Sequence, residues 1–280
     1  MTAVAQGPAP VTVRPVSFPR VMRSEWLKFW SLRSTYWAIG ATLVSMVLMA
    51  LLMAFGLSQS AEAGFDAGLD ATMVLGLTYS MAQLVIAVLG VLMISGEYST
   101  GMIRSTLAAV PSRLPVLGAK AILIVVVSFV VGVIGVGLSY LVTAPMLSDV
   151  GGAADLGDPD VLRMFWGTGL YLAAVGLFGL AIGALLRHSA GAIATVLGIL
   201  LLLPIIFQLA MGAVDFLQDF YPYLPTTAGE RIIAIDSPGM EMAMQGIPPL
   251  LDPWAGLGVF AIYIAVALTA AAVLLRRRDA

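Results

Sequence analysis

Six stretches of this chain contain no Asp, Glu, Lys, Arg or His: Ser34–Ala61, Ala71–Gly96, Ala121–Ser148, Met164–Leu186, Ser189–Val214 and Pro253–Leu275. Each is at least 23 residues long, and a helix needs about 20 apolar residues to cross the ~30 Å hydrocarbon core of a bilayer. Core helices of a soluble protein would need a charged shell around them. The 280 residues are 60 % hydrophobic and only 11 % charged, with mean hydropathy +0.99, against roughly 25 % charged in a soluble domain. No such shell can be built. The predicted fold is therefore an all-α polytopic membrane protein with spans at about 36–58, 73–95, 117–143, 164–186, 190–213 and 254–275.

Orientation follows from the cations, which accumulate in cytoplasmic segments. Twelve of the fourteen flank the first span on its N-terminal side, lie between spans two and three or four and five, or follow span six; Arg163 and Arg231 fall on the other side. The two faces carry about +9 and −11. Both termini are expected in the cytoplasm. Residues 1–17, with Pro8, Pro10 and Pro15 and no apolar signal core, read as a disordered tail, and 18–280 as one six-helix domain. Gly179 and Gly183 have the spacing that lets membrane helices touch closely.

What is missing narrows the function. The uncharged runs hold no Asp, Glu or His to carry a proton, which disfavours a proton-driven carrier. Cysteine is absent, and the single His188 lies at a span boundary, so neither a thiol enzyme nor a histidine metalloprotease fits. With 14 basic against 16 acidic residues there is no excess to bind nucleic acid. The only lysines, Lys28 and Lys120, do not follow a phosphate-binding glycine loop, so no ATP hydrolysis is expected in this chain.

Three segments do more than anchor. Over residues 18–33, Met22, Trp26, Phe29 and Trp30 fall on one helical face, with Arg20, Ser24, Lys28 and Ser31 opposite; Pro19 suits the first turn. This predicts an amphipathic helix lying in the membrane plane, at the lipid headgroups. The loop 96–120 places Glu97 where the second span meets water. It predicts a short helix over Ser99–Ala109, capped by Ser99 or Thr100 and stopped at Pro111, with Met102, Leu107 and Val110 apolar. Such a helix at a membrane boundary suits the docking of a soluble partner. The external stretch 215–252 carries Thr227-Ala-Gly-Glu230, a capping box that predicts a helix at about 228–235 ended by Ser237-Pro238-Gly239. Asp158-Pro159 and Asp252-Pro253 supply caps and first-turn prolines for the fourth and sixth spans.

The order of S-E-W-L-K on the first helix, two spans, then G-E-Y-S-T-G-M-I-R-S-T-L and P-S-R with a following lysine resembles the membrane subunits of ATP-binding-cassette transporters, in the type-2 export permease branch. The resemblance covers about residues 18–278. It implies that the loop helix is a coupling helix seated in a separate ATPase, with Glu97, Tyr98, Thr100, Arg104, Thr106 and Arg113 forming or bracing the contact. It also implies two permease copies (or a copy and a paralogue), ATP and Mg held by the soluble ATPase subunits and no cofactor in this chain. The setting it implies is a bacterial plasma membrane, and short external helices between spans five and six would close the outer end of the path. Tyr79, Gln83, Ser128, Ser139 and Gln208 are candidate path-lining residues, with Pro204 as a kink; a mostly uncharged lumen points to lipid, peptide or drug-like cargo. The competing reading is a membrane scaffold or sensor that docks a regulatory protein through the 96–120 loop.

Overall fold

The computed structural model describes residues 17–62, 71–110, 113–148, 154–214, 216–235 and 249–277. Among them there is no strand. The helices are α1 (Phe18–Ser31), α2 (Arg33–Glu62), α3 (Ala71–Gly76), α4 (Tyr79–Ser99), α5 (Met102–Ala109), α6 (Leu114–Ser148), α7 (Pro159–Leu186), α8 (Ser189–Leu197), α9 (Leu203–Ala210), α10 (Phe216–Phe220), α11 (Pro225–Gly229) and α12 (Pro253–Arg277). Six stretches are long and apolar enough to cross a membrane: α2, α3 with α4, α6, α7, α8 with α9, and α12. The predicted tail, apart from Ser17, and the predicted stop at Ser237-Pro238-Gly239 lie outside the described residues.

Each span matches an uncharged run, but several helices continue past it. The 35 residues of α6 give a rod of about 52 Å at 1.5 Å per residue. This extension takes Lys120 inside α6 and Glu97 inside α4, both buried. The expected absence of charge within the spans is thus corrected at one end of the bundle. The second span is also interrupted at Leu77 and Thr78, where the Thr78 hydroxyl donates to the Leu75 carbonyl at 2.7 Å. Asp158 caps α7 as expected, its carboxylate accepting from the Asp160 N–H at 2.8 Å, with Pro159 in the first turn.

The centre of the bundle is α7, packed by α4, α6, α12 and α8. In a bilayer there is no hydrophobic drive between helices, so close backbone approach has to supply the contact. Glycine permits it. A Cβ on Gly179 would lie 2.4 Å from the Ala87 carbonyl oxygen, one on Gly183 2.8 Å from that of Val91, and one on Gly90 2.1 Å from that of Gly176. The small-residue spacing read from the sequence therefore makes the α4–α7 crossing. By contrast α2, α9 and α12 turn large apolar side chains outward, among them Trp37, Phe55, Leu209 and Val266, as surfaces facing lipid or another membrane chain do.

The two ends of the bundle differ. One gathers Lys28, Glu97, Lys120, Arg187 and the last turn of α12, whose Leu275 and Leu274 carbonyls accept from Arg113 Nη1 at 3.0 Å and Arg187 Nη2 at 3.3 Å. The opposite end holds Arg163, Glu230 and Arg231, with Arg163 Nη1 donating to the Ala234 carbonyl at 3.1 Å. The cations named here, Lys28, Arg113, Lys120 and Arg187 at one end and Arg163 and Arg231 at the other, divide as they do along the sequence.

Candidate functional site

At the Glu97 end, four charges from three helices meet beneath a fourth. Glu25 and Lys28 belong to α1, one turn apart, with Glu25 Oε1 and Lys28 Nζ separated by 2.7 Å. Lys120 of α6 reaches Glu25 Oε2 at 2.6 Å and Glu97 Oε1 at 2.7 Å. Lys28 Nζ also donates to Glu97 Oε1 at 3.2 Å and to the Thr106 hydroxyl of α5 at 3.1 Å. Glu25, Glu97 and Lys120 are at most 5 % exposed. Burial alone would lower the Lys28 pKa, but the Glu25 and Glu97 carboxylates outweigh it and hold that pKa above the ordinary lysine value. Removing one member of such a buried set strands its partner and costs about 3–5 kcal/mol.

This junction changes the reading of α1. The sequence wheel turned Met22, Trp26, Phe29 and Trp30 to one side and Lys28 to the lipid headgroups. In the structure the face buried in the protein is Val21, Glu25 and Phe29, and Lys28 turns to the carboxylates. Trp26 stays 46 % exposed, its ring 5.6 Å from that of Trp30, which also lies 5.6 Å from the Tyr36 ring. The reason is charge pairing: two carboxylates and two ammoniums offset one another, so a charged helix face can be buried. Glu97 is likewise corrected from a residue meeting water to one enclosed in this set.

The loop helix forms, three residues later than expected. The Ser99 and Thr100 hydroxyls do not cap it; both return to the Gly96 carbonyl at 2.9 Å and finish α4. Gly101 then turns the chain at φ +73°, a left-handed conformation that favours glycine, and α5 starts at Met102. Ile103 is buried, whereas Met102, Ser105 and Ala108, three apart, are exposed along one side. The Arg104 side chain and those of Leu107 and Ala109 lie outside the described set. Tyr98 packs its ring 5.2 Å below the Arg187 guanidinium. Of the six residues drawn from the resemblance, Glu97 and Thr106 thus meet at Lys28, Tyr98 and Arg113 brace neighbouring helix ends, and Thr100 is an exposed helix terminus. His188 caps α8, Nδ1 accepting from the Gly191 N–H at 3.2 Å.

At the other end, a short helical turn folds back into the bundle. Helix α11 begins at Pro225, with Leu224 in the cap position, so Thr227 lies inside the helix and the predicted capping box does not form. Glu230 instead accepts from the Tyr79 hydroxyl at 2.6 Å, and the Tyr171 hydroxyl donates to Gln83 at 2.6 Å beside it. Proline at the first helical position explains the earlier start. Burial raises the Glu230 carboxyl to about 7, against the opposing pull of the Tyr79 hydrogen bond and Arg231; burial, then Glu230, raises Tyr221 above the usual tyrosine range. The turn is seated by glycine: a Cβ on Gly229 would lie 2.5 Å from the Phe260 ring, and one on Gly256 2.3 Å from the Ala228 carbonyl.

Thr226 completes the seat. Pro204 has no N–H to give the Leu200 carbonyl four residues earlier, and the chain there widens into a π-helical turn over Gly198–Leu202. The Thr226 hydroxyl donates to that Leu200 carbonyl at 2.9 Å. The kink expected at Pro204 is therefore a widened turn with α11 docked on it.

The five path-lining candidates fall at separate places in the bundle. Tyr79 and Gln83 belong to the Glu230 cluster. Ser128 is buried and its hydroxyl has no partner, Ser139 bonds back to the Gly135 carbonyl, and Gln208 faces outward. Glu25, Tyr171 and Glu230 were missed as site residues. The one signal available was a glutamate three residues before Lys28; Glu230 is one of six carboxylates in the segment 215–252, and nothing local set it apart.

A family model described as ABC-2 family transporter protein matches residues 21–280. A comparison with curated proteins finds no match.

Proposed function

The chain belongs to the ABC-2 transporter family, a family of ABC transporter membrane permeases, and from that premise we propose that it is one membrane half of an ATP-driven exporter. Two such halves, identical copies in this reading, carry an amphipathic or apolar cargo across the plasma membrane. Soluble ATPase subunits bind ATP and Mg and dock against α5 from the cytoplasm, the side to which the Glu97 end and both termini face. Closure of the ATPases moves α5, and the spans swing from inward-open to outward-open.

The observation that supports this reading is the junction under α5. Thr106 is bonded to Lys28, which is bonded to Glu25 and Glu97, and both carboxylates are bonded to Lys120. A displacement of the short helix is thereby passed to α1, α4 and α6 together. Its exposed side, Met102, Ser105 and Ala108, is free of that network and is the surface offered to a partner.

The test is a mild-detergent pull-down of the tagged chain from its native membrane, with Ala108→Arg as the comparison. Retention of a soluble ATPase by wild type and its loss in the variant, with insertion unchanged, is the expected result. A regulatory protein in place of an ATPase would favour the scaffold reading, and an ATPase retained equally by Ala108→Arg would remove α5 as its docking surface.

A further inference from the structure

Helix α1 crosses the end of the bundle. A Cβ on Gly118 would meet the Phe18 ring at 3.8 Å, Val21 clusters with Val116 and Ala119, and Glu25 reaches Lys120. Those α1 positions span about 10 Å at 1.5 Å per residue, whereas residues 116–120 of α6 span about 6 Å. One turn further on, Lys28 meets Glu97 of α4 and Thr106 of α5. Successive turns of α1 therefore touch three helices at one level, the level at which α2 starts from Arg33 as a span.

This gives α1 three sides. Val21, Glu25 and Phe29 face the protein. Lys28 turns to α5, and Arg20 and Ser24 are exposed on the same side. On the opposite side Trp26 lies against Trp30, and Trp30 against Tyr36, whose hydroxyl donates to the Trp30 carbonyl at 2.9 Å. Trp37, next along the span, is 79 % exposed. Indole and phenol rings with one polar tip settle at the boundary between hydrocarbon and water, so the aromatic side is the membrane side. Arg23, between these two sides and away from the protein, then lies at headgroup depth, as does Arg33 where the span begins.

The junction decides the charge of this surface. Glu25 and Glu97, the carboxylates described at this end, are buried on Lys28 and Lys120. Arg23 and Arg33 are exposed and pair with no carboxylate among the described residues. A zwitterionic headgroup brings its own ammonium to such a surface, and an anionic one does not. A soluble polyanion would match the arginines but leave the aromatic side unused.

We propose that the outer side of α1 and the first turn of α2 form a binding surface for anionic phospholipid, with headgroup phosphates on Arg23 and Arg33 and acyl chains over Trp26 and Trp37. The surface is independent of the permease reading.

The experiment is tryptophan quenching by lipids brominated on their acyl chains, in phosphatidylcholine nanodiscs. Of the five tryptophans, Trp166 and Trp254 stack on each other in the external half, and replacing both by Phe leaves the three of this corner. Brominated phosphatidylglycerol is compared with brominated phosphatidylcholine at equal mole fraction. An association ratio of at least about threefold in favour of phosphatidylglycerol is expected from two arginines at a charged surface, falling towards one as salt rises to about 0.5 M. Arg23→Gln/Arg33→Gln changes exposed side chains only and is expected to bring the ratio to about one with the thermal midpoint unchanged. If the Phe background does not fold, the full chain gives the same comparison through the difference made by the two arginine substitutions. Equal quenching by the two lipids, or a preference kept in Arg23→Gln/Arg33→Gln, would overturn the proposal. So would loss of the preference on adding glycerol phosphate at constant ionic strength, which would mark a site for soluble phosphate instead of a lipid surface.

Discussion

The Tyr79 hydroxyl donates to Glu230 Oε2 at 2.6 Å, joining the first residue of α4 after its break to a turn 151 positions further along the chain. The contact lies at the end of the bundle where α11 folds back. Its partners from the surrounding elements are Tyr79, Tyr221 and the neighbouring Arg231, with Tyr171 behind Tyr79.

A pH dependence follows from that carboxyl. Its pKa in the folded chain is about 7, raised from 4.5 by burial first of all. The folded state therefore holds a proton between those values that the unfolded state has lost, and stability falls as pH rises through that window. Below about 4.5 the contribution is complete; above about 7 it is gone. The size is on the order of 2–3 kcal/mol, discounted for residual solvent at the turn. The thermal midpoint of the chain in nanodiscs is expected to drop between pH 5 and pH 8, and the Glu230→Gln variant to lose most of that slope. An unchanged slope in Glu230→Gln would assign the dependence elsewhere.

The junction at the other end predicts non-additive loss. Lys120→Met leaves Glu25 Oε2 without its partner and Glu97 Oε1 with Lys28 alone, a cost of about 3–5 kcal/mol. Adding Glu25→Gln removes the stranded charge and leaves Lys28 paired with Glu97. The double variant is expected to be more stable than the two single losses added together, with a coupling of at least about 1 kcal/mol in a double-mutant cycle on denaturation in nanodiscs. Additive losses would mean that the four charges do not act as one set.

How far these sites could be read from the sequence depended on the range over which each signal acts. Apolar runs are local and cumulative, so all six spans could be read within a few residues. Charge pairing is not local. Glu25 and Lys120 are 95 positions apart and Lys120 and Glu97 are 23 apart, and without the partner in view each charge looks like the limit of a span. That is why α4 continues beyond its predicted end at Glu97 and why α1 buries a face that a helical wheel turns outward. Glu230 was misread for the same reason: Thr227 three residues before it offered a nearby partner, and Tyr79 took its place. Gly179 and Gly183 were legible because their spacing is itself the contact surface, although Gly90 opposite Gly176 was not.

That opposed pair gives the last prediction. A Cβ on Gly90 would sit 2.1 Å from the Gly176 carbonyl oxygen, and the next atoms within reach are also backbone. Neither neighbour is a flexible side chain that can turn away, so Gly90→Ala has to move α4 off α7, costing about 1–3 kcal/mol by overpacking. Gly40 in α2 meets nothing within 4 Å, and there alanine is expected to stabilise the helix by up to about 1 kcal/mol. The two substitutions add the same methyl group to membrane helices, so any difference between them reports the crossing and not helix propensity or hydropathy. Thermal midpoints in nanodiscs are expected to shift in opposite directions. Equal shifts would mean that the α4–α7 backbones are not in contact at Gly90, and with that the close-packed centre of the bundle would have to be redrawn.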